Sequence, residues 1–225
     1  MKKITRTLCL ALLLFLAGHA VVALAQTTLV LNTSNDPPNS TDAANGICDL
    51  VLQEACRRLA IELTIVRLPS ERALLNANDG VDDGNFARVA GLSETYPNLI
   101  QVPESITRFE FVAITGGKQF TPANWASLEP YDVGIITGWK ILEQNITGVK
   151  SLTRVADRHI LFNLLKAGRV DCIVYDQRQA QVAAKDESFS AMTILQPQLA
   201  VREMYPYLHK RHQNLVPRLA EAIRR

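Results

Sequence analysis

An α/β fold of two successive units, with mostly parallel sheets, is what this sequence predicts. Three observations carry the prediction. Short β-type apolar runs alternate with amphipathic helical segments from Thr28 to the end of the chain. No internal repeat and no low-complexity linker interrupts that alternation. The 225 residues are 48% hydrophobic and 20% charged, ordinary values for a chain that buries a real core and unlike disordered or collagen-like compositions. Lys+Arg number 24 against 22 Asp+Glu, a net of +2. That balance argues against a nucleic-acid binder, which shows a basic stripe or patch.

The first 25 residues are a separate feature. Lys2, Lys3 and Arg6 precede a leucine-rich run from Leu8 to Ala17, and Ala23-Leu24-Ala25 forms a small-x-small site before Gln26. This order predicts a secretory signal peptide over residues 1–25. Gly18 and His19 interrupt the run, which is shorter than the roughly 20 apolar residues of a membrane span. Cleavage removes three cations and leaves 21 Lys+Arg against 22 Asp+Glu, a net of −1. An exported, periplasmic protein is expected. Cys48, Cys56 and Cys172 remain. The first two lie eight residues apart in one predicted helix, about 12 Å along its axis, beyond the ~7 Å limit for a disulfide. Buried, reduced cysteines are therefore expected, acting as small hydrophobes.

From Thr28 to Asn32 the chain predicts a short strand, followed by the turn formers Asn35-Asp36-Pro37-Pro38-Asn39-Ser40. Gly46 to Ala60 is helical, with Ile47, Leu50, Val51, Ala55 and Leu59 at helical spacing. Ile61 to Leu68 is extended, and Ser70 is the expected N-cap of a helix to Asn78, stopped at Asp79-Gly80. Val81 to Ala90 holds a loop and a strand, and Leu99 to Val102 and Phe109 to Thr115 are strands joined by a crossover at Pro103 to Arg108. Tyr131 to Ile136 is a strand, Gly138 opens a helix to Asn145, and Val149 to Leu152 is extended. Ala156 to Lys166 is helical, with Ile160, Leu161, Leu164 and Leu165 on one face and Gly168 as its stop. Val170 to Tyr175 is a strand, Gln177 to Lys185 a helix, Met192 to Gln196 extended, and Asn214 to Arg224 a closing helix.

Three stretches in order carry a family resemblance. They are Asn45-Gly46 with Asp49-Leu50 and the helix to Leu59; Arg72-Ala73-Leu74 followed by Gly80-Val81-Asp82 and Asp83-Gly84; and Leu165-Lys166-Ala167-Gly168-Arg169-Val170-Asp171 followed by Val174-Tyr175-Asp176. Together with the signal peptide they resemble the bacterial extracellular solute-binding proteins of family 3, the periplasmic amino-acid-binding proteins of ABC importers. The resemblance spans nearly all of residues 26–225. It implies a two-lobed periplasmic-binding-protein fold of type II, each lobe an α/β sandwich, with a ligand cleft between. Lobe 1 is then about 26–107 plus 201–225, and lobe 2 about 108–200, with hinges near Pro103 to Arg108 and near Ala200. It implies a monomer that needs no cofactor and no metal, captures a small polar solute such as an amino acid, and presents it to an inner-membrane ABC permease or a sensor.

The resemblance also proposes site residues. Asp176 stands where the family places its ammonium partner; its other reading is an N-cap for the helix from Gln177. The family's carboxylate arginine has no counterpart between Val89 and Thr107. Arg88, at the end of a strand, takes that role by reach, with Arg72 as a second candidate. At Thr137-Gly138-Trp139-Lys140 the family's small hydroxyl pair is replaced by an aromatic and a cation. Gly138 opens a helix N-terminus, Trp139 stacks on a ligand or plugs the cleft, and Lys140 adds charge for an anion. The resemblance also extends to periplasmic cyclohexadienyl dehydratases, so an enzyme on the same scaffold is the alternative, with Asp176, Glu94, Lys140 and Tyr96 as candidate acid–base groups. An accessory sensory binding protein is the third reading. His209 and His212 sit three apart in a basic stretch that supplies no further ligand for a metal site.

Overall fold

The computed structural model describes residues 27–186, 189 and 191–225; the signal-peptide expectation lies outside them. Strands β1 (Thr27–Thr33), β2 (Ile61–Arg67) and β3 (Gly84–Arg88) form a parallel set in the order β2-β1-β3. Strands β6 (Asp132–Ile136), β7 (Ser151–Val155) and β8 (Cys172–Asp176) form a second parallel set, with β6 central. Between them run β5 (Thr107–Thr115) and β10 (Ala200–His209), antiparallel to each other. The whole order is β2-β1-β3-β10-β5-β8-β6-β7, with β4 (Leu99–Gln101) on β10 and β9 (Thr193–Ile194) on β5.

The mostly parallel sheet expected from the sequence is therefore corrected to a mixed one. Within each half the strands are joined through helices and run parallel, while the long strands that carry the chain between halves are antiparallel. β10 belongs to both halves. Ala200 to Met204 pairs with β5, and Tyr205 to Leu208 pairs with β3 across a register shift at Tyr205/Tyr207. Its sequence, Ala-Val-Arg-Glu-Met-Tyr-Pro-Tyr-Leu-His, has no clean period of two, and Pro206 masks it as a strand.

Helix α1 (Ile47–Arg58) starts at Gly46, where an added Cβ would lie 2.6 Å from the Asn39 backbone. The Asp49 carboxylate accepts the Gly46 and Thr41 N–H groups at 2.9 and 3.0 Å. The face it buries is Cys48, Leu52, Ala55 and Cys56, not the expected stripe through Ile47 and Leu50, which are 40% and 54% exposed. Counting the cysteines as hydrophobes moves the stripe by one residue. All three cysteines are free and buried; burial pushes the Cys48, Cys56 and Cys172 thiols up to about 12, 11 and 12.

Helix α2 (Ser70–Asn78) is preceded by Pro69 in extended conformation, so Ser70 is the first helical residue and not the cap. Helix α3 (Lys140–Asn145) follows β6, α4 (Arg158–Lys166) starts at an Asp157 cap, α5 (Gln177–Ala183) at Asp176, and α6 (Val216–Arg224) closes the chain. Strand β7 begins two residues later than expected, and a 3₁₀ segment, Lys210–Leu215, takes the start of the expected last helix. Helix α2 packs on β1 and β3, whereas α3 extends from β6; the ends of these parallel strands bring the two halves face to face. Among the described residues no helix is long and apolar enough to cross a membrane.

Candidate functional site

The carboxyl ends of β1, β2, β3 and β6 meet where the halves face each other, the position at which α/β units gather ligands. A cavity there is lined by Ser34, Asn35, Arg88, Gly138, Trp139 and Lys140 together with apolar neighbours. Its free volume is about 20 Å³, close to what one water needs. Four of the six residues expected at the site thus line one cavity: Arg88, Gly138, Trp139 and Lys140.

Arg88 ends β3, and only 6% of it is exposed. Ala87 before it takes φ +56, a left-handed conformation rare for a residue with a side chain, and the facing strand β10 shifts register there. The guanidinium donates to Ser70 Oγ at 2.7 Å, the Ser70 carbonyl at 3.1 Å, the Gly138 carbonyl at 3.4 Å and Asn85 Oδ1. Asn85 donates in turn to Asn32, and Asn32 to the Asp82 carboxylate at 2.6 Å. Every direct acceptor is neutral, and among the described residues no carboxylate pairs with the guanidinium. Burial pushes its pKa down to about 10, with the nearby Tyr96 and Glu71 pulling the other way. A buried cation with no carboxylate in direct contact is costly, and this one sits at a cavity wall.

Trp139 lines the cavity and is 7% exposed. It stacks on Tyr175 at 4.9 Å between centroids and 14° between planes, and meets Phe109 and Phe111 at 6.0 and 6.1 Å. Gly138 takes φ +85, and a Cβ on it would lie 2.5 Å from the Glu71 nitrogen. The backbone of one half thus lies directly on the first turn of α2 in the other.

Lys140 crosses the same boundary. Its Nζ lies 2.7 Å from Glu71 Oε2 and 2.9 Å from Glu143 Oε2, and 5.7 Å from the centroid of the Tyr96 ring. Tyr96 donates to Glu71 Oε1 at 3.0 Å. Burial opposes the Lys140 charge, but these partners outweigh it and hold the ammonium protonated well above its usual range. A second bridge between the halves centres on Asp36, which accepts from Tyr175 at 2.7 Å and Arg67 at 3.2 Å, while its N–H donates to Gln179 Oε1 at 3.1 Å.

The other two expected residues lie elsewhere. Arg72 is exposed on α2 and lines none of these surfaces. Asp176 is 1% exposed and caps α5; its oxygens accept the Gln179 and Glu110 N–H groups, each at 3.1 Å. It lines a separate hollow with Arg108, Glu110 and Arg178. Burial raises its carboxyl above the ordinary range against those two N–H donors. Of the acid–base candidates, Lys140 and Tyr96 come together, but Asp176 does not join them. Sequence reasoning missed Ser70, Glu71 and Asn85. The signal for the first two was their place just after Leu68-Pro69, at the carboxyl end of a parallel strand.

No family model matches the chain. An uncharacterized protein of Shewanella oneidensis is 24% identical over 185 residues, covering 79% of this chain and 69% of that protein. Among solved structures, the substrate binding protein of an amino acid ABC transporter superposes with TM-score 0.72 at 17% identity, covering 88% of this chain and 92% of the other. Holo ArgBP from T. maritima gives 0.74 at 20% identity over 88% and 89%. A histidine kinase sensor domain with similarity to periplasmic binding proteins gives 0.76 at 13% identity over 88% and 90%. The fold is that of the two-lobed type II periplasmic binding proteins.

Proposed function

We propose that this chain is an exported solute-binding protein related to family 3, which closes its two lobes on a small carboxylate-bearing solute held by Arg88. The observation that carries the reading is the buried guanidinium with only neutral acceptors at the cleft wall. A ligand carboxylate supplies the missing counter-charge, and Arg is the residue whose planar fork matches it. The lobes divide near residues 107–108 and 200–201 and separate to admit the ligand, which then stabilises the closed form. Such a protein binds and releases; it hands its solute to an inner-membrane permease or to a sensor. The fold neighbours support both destinations, since they include a transporter's binding protein and a kinase sensor domain. The test is calorimetry and thermal shift of the mature protein against amino acids, 2-hydroxy acids and dicarboxylates, repeated with Arg88→Met. A carboxylate that binds wild type and loses roughly 10²-fold in the variant supports the site. Equal binding by both proteins, or turnover of the recovered ligand, overturns it.

A further inference from the structure

One primary ammonium in the cleft is already bound as an amine ligand would be. Lys140 Nζ lies 2.7 Å from Glu71 and 2.9 Å from Glu143, near the Tyr96 ring. Two carboxylates and a ring are what recognise a primary amine. This cage adjoins the guanidinium. Ser70, which accepts from Arg88, is the residue before Glu71, and Gly138, whose carbonyl accepts from Arg88, lies two before Lys140. A site for a carboxylate and a site for an ammonium therefore stand side by side on the same two backbone segments.

We infer that Glu71, Glu143 and Tyr96 form an ammonium subsite that Lys140 fills from within the protein, and that a ligand's ammonium takes over by displacing Lys140. The inference rests on the reading that Arg88 receives the ligand's carboxylate, and it narrows the ligand class to α-amino acids and related zwitterions. The cavity beside Arg88 has a free volume of about 20 Å³, and an ammonium reaches Glu71 and Glu143 only where Lys140 gives way. Trp139 is stacked and 7% exposed, and Arg88 is tied by four hydrogen bonds. Lys140 is the flexible cation among the lining groups, held by charge at its tip. Asp176, the ammonium partner that the family resemblance suggested, has both oxygens on backbone N–H groups and lines a different hollow.

The test compares L-amino acids with the matching 2-hydroxy acids, which keep the carboxylate and lack the ammonium, by calorimetry on wild type, Lys140→Met and Glu71→Gln. Removing the internal competitor in Lys140→Met should tighten amino acids by roughly tenfold and leave hydroxy acids within about twofold. Glu71→Gln should weaken amino acids by roughly 10²-fold and spare hydroxy acids. Loss of both ligand types in Lys140→Met assigns Lys140 to the anion and overturns the inference. If hydroxy acids bind through Arg88 but amino acids gain nothing in Lys140→Met, the inference fails and the Arg88 reading stands. If no acid binds any of the proteins, both fail. A second measurement does not depend on an identified ligand: n-butylammonium should raise the melting temperature of Lys140→Ala and not of wild type. No difference between the two rejects a cage that accepts a free ammonium.

Discussion

Replacing Gly138 by alanine should hold the lobes apart while leaving each folded. Gly138 sits at φ +85, where a residue with a side chain pays about 1 kcal/mol or somewhat more. The larger effect is steric. The new Cβ would lie 2.5 Å from the Glu71 nitrogen, 2.9 Å from the Glu71 Cα and 2.9 Å from the Ser70 carbonyl carbon. These are backbone atoms of a helix turn and cannot rotate away. Contact distances of about 3.5 Å return only if the two segments separate by roughly 1 Å. That retreat lengthens the Arg88 bond to the Gly138 carbonyl, already 3.4 Å, and the Lys140–Glu71 bridge at 2.7 Å. The bridge is partly exposed and contributes about 1 kcal/mol at most; a buried charge-assisted bond contributes about 1.5–3 kcal/mol. Closure is then weakened by roughly 2–4 kcal/mol, which shifts the closed-to-open ratio roughly 30- to 10³-fold toward the open form. Small-angle scattering should show a larger radius of gyration for Gly138→Ala, with far-ultraviolet circular dichroism unchanged. Ligand affinity should fall in proportion to the lost closed population. Unchanged scattering and binding would refute the reasoning, because the clash must then be absorbed within one lobe.

Three further outcomes concern other buried groups. Asp176→Asn should lose about 1–3 kcal/mol, because an amide has one acceptor oxygen and its NH2 would face either the Gln179 or the Glu110 N–H, and Asp176→Ala should lose about 2–3 kcal/mol from the cap and the orphaned Glu110 N–H. Burial raises the folded Asp176 pKa above its unfolded value of 3.8, so wild type loses stability as pH rises through the folded value; in denaturant melts the stability of wild type relative to Asp176→Asn should therefore fall from about pH 4 upward and then level off. Cys48, Cys56 and Cys172, buried with thiols pushed up to about 12, 11 and 12, should react with a thiol reagent at pH 8 only at the rate of global unfolding. Trp139→Ala should lose about 3–5 kcal/mol in chemical denaturation, and in a Trp125→Phe background the Trp139 emission should shift when a ligand saturates the cleft.

The elements were legible wherever one local pattern decided them. The helix before Gly168 shows its apolar face, and Leu161 and Leu165 are buried as their spacing requires. Strands β6 and β8 read as short apolar runs because both faces are covered. What escaped depended on contacts distant in sequence. β10 takes its identity from β5 at one end and from β3 and β4 at the other, and no window of its own sequence contains that information. Ser70 looks like a cap because Ser precedes an acidic first turn; the partner that claims its hydroxyl, Arg88, is 18 residues away. Glu71 and Lys140 are each an unremarkable surface charge in sequence, and 69 residues separate them. Arg88 enters as a candidate only through the gap it would fill in a family pattern, not through a pattern of its own.

Three departures from ordinary local rules fall within this small region: a left-handed Ala87, a left-handed Gly138 pressed on a helix turn, and a buried arginine with no carboxylate in direct contact. Structures retain such costs where function uses them. Here they share a consequence. Lys140 bridges to Glu71 and Arg88 donates to the Gly138 carbonyl across the two halves, so in the proposed closure these contacts contribute before any ligand does. A ligand gains only the difference between its contacts and those it displaces. On the proposed reading a carboxylate alone gains at Arg88 and leaves the Lys140 bridge in place. An ammonium alone displaces Lys140 and leaves Arg88 without its counter-charge. A molecule carrying both charges a few ångströms apart satisfies both groups at once, and selectivity for zwitterions then follows from the internal bridge as much as from the contacts that replace it.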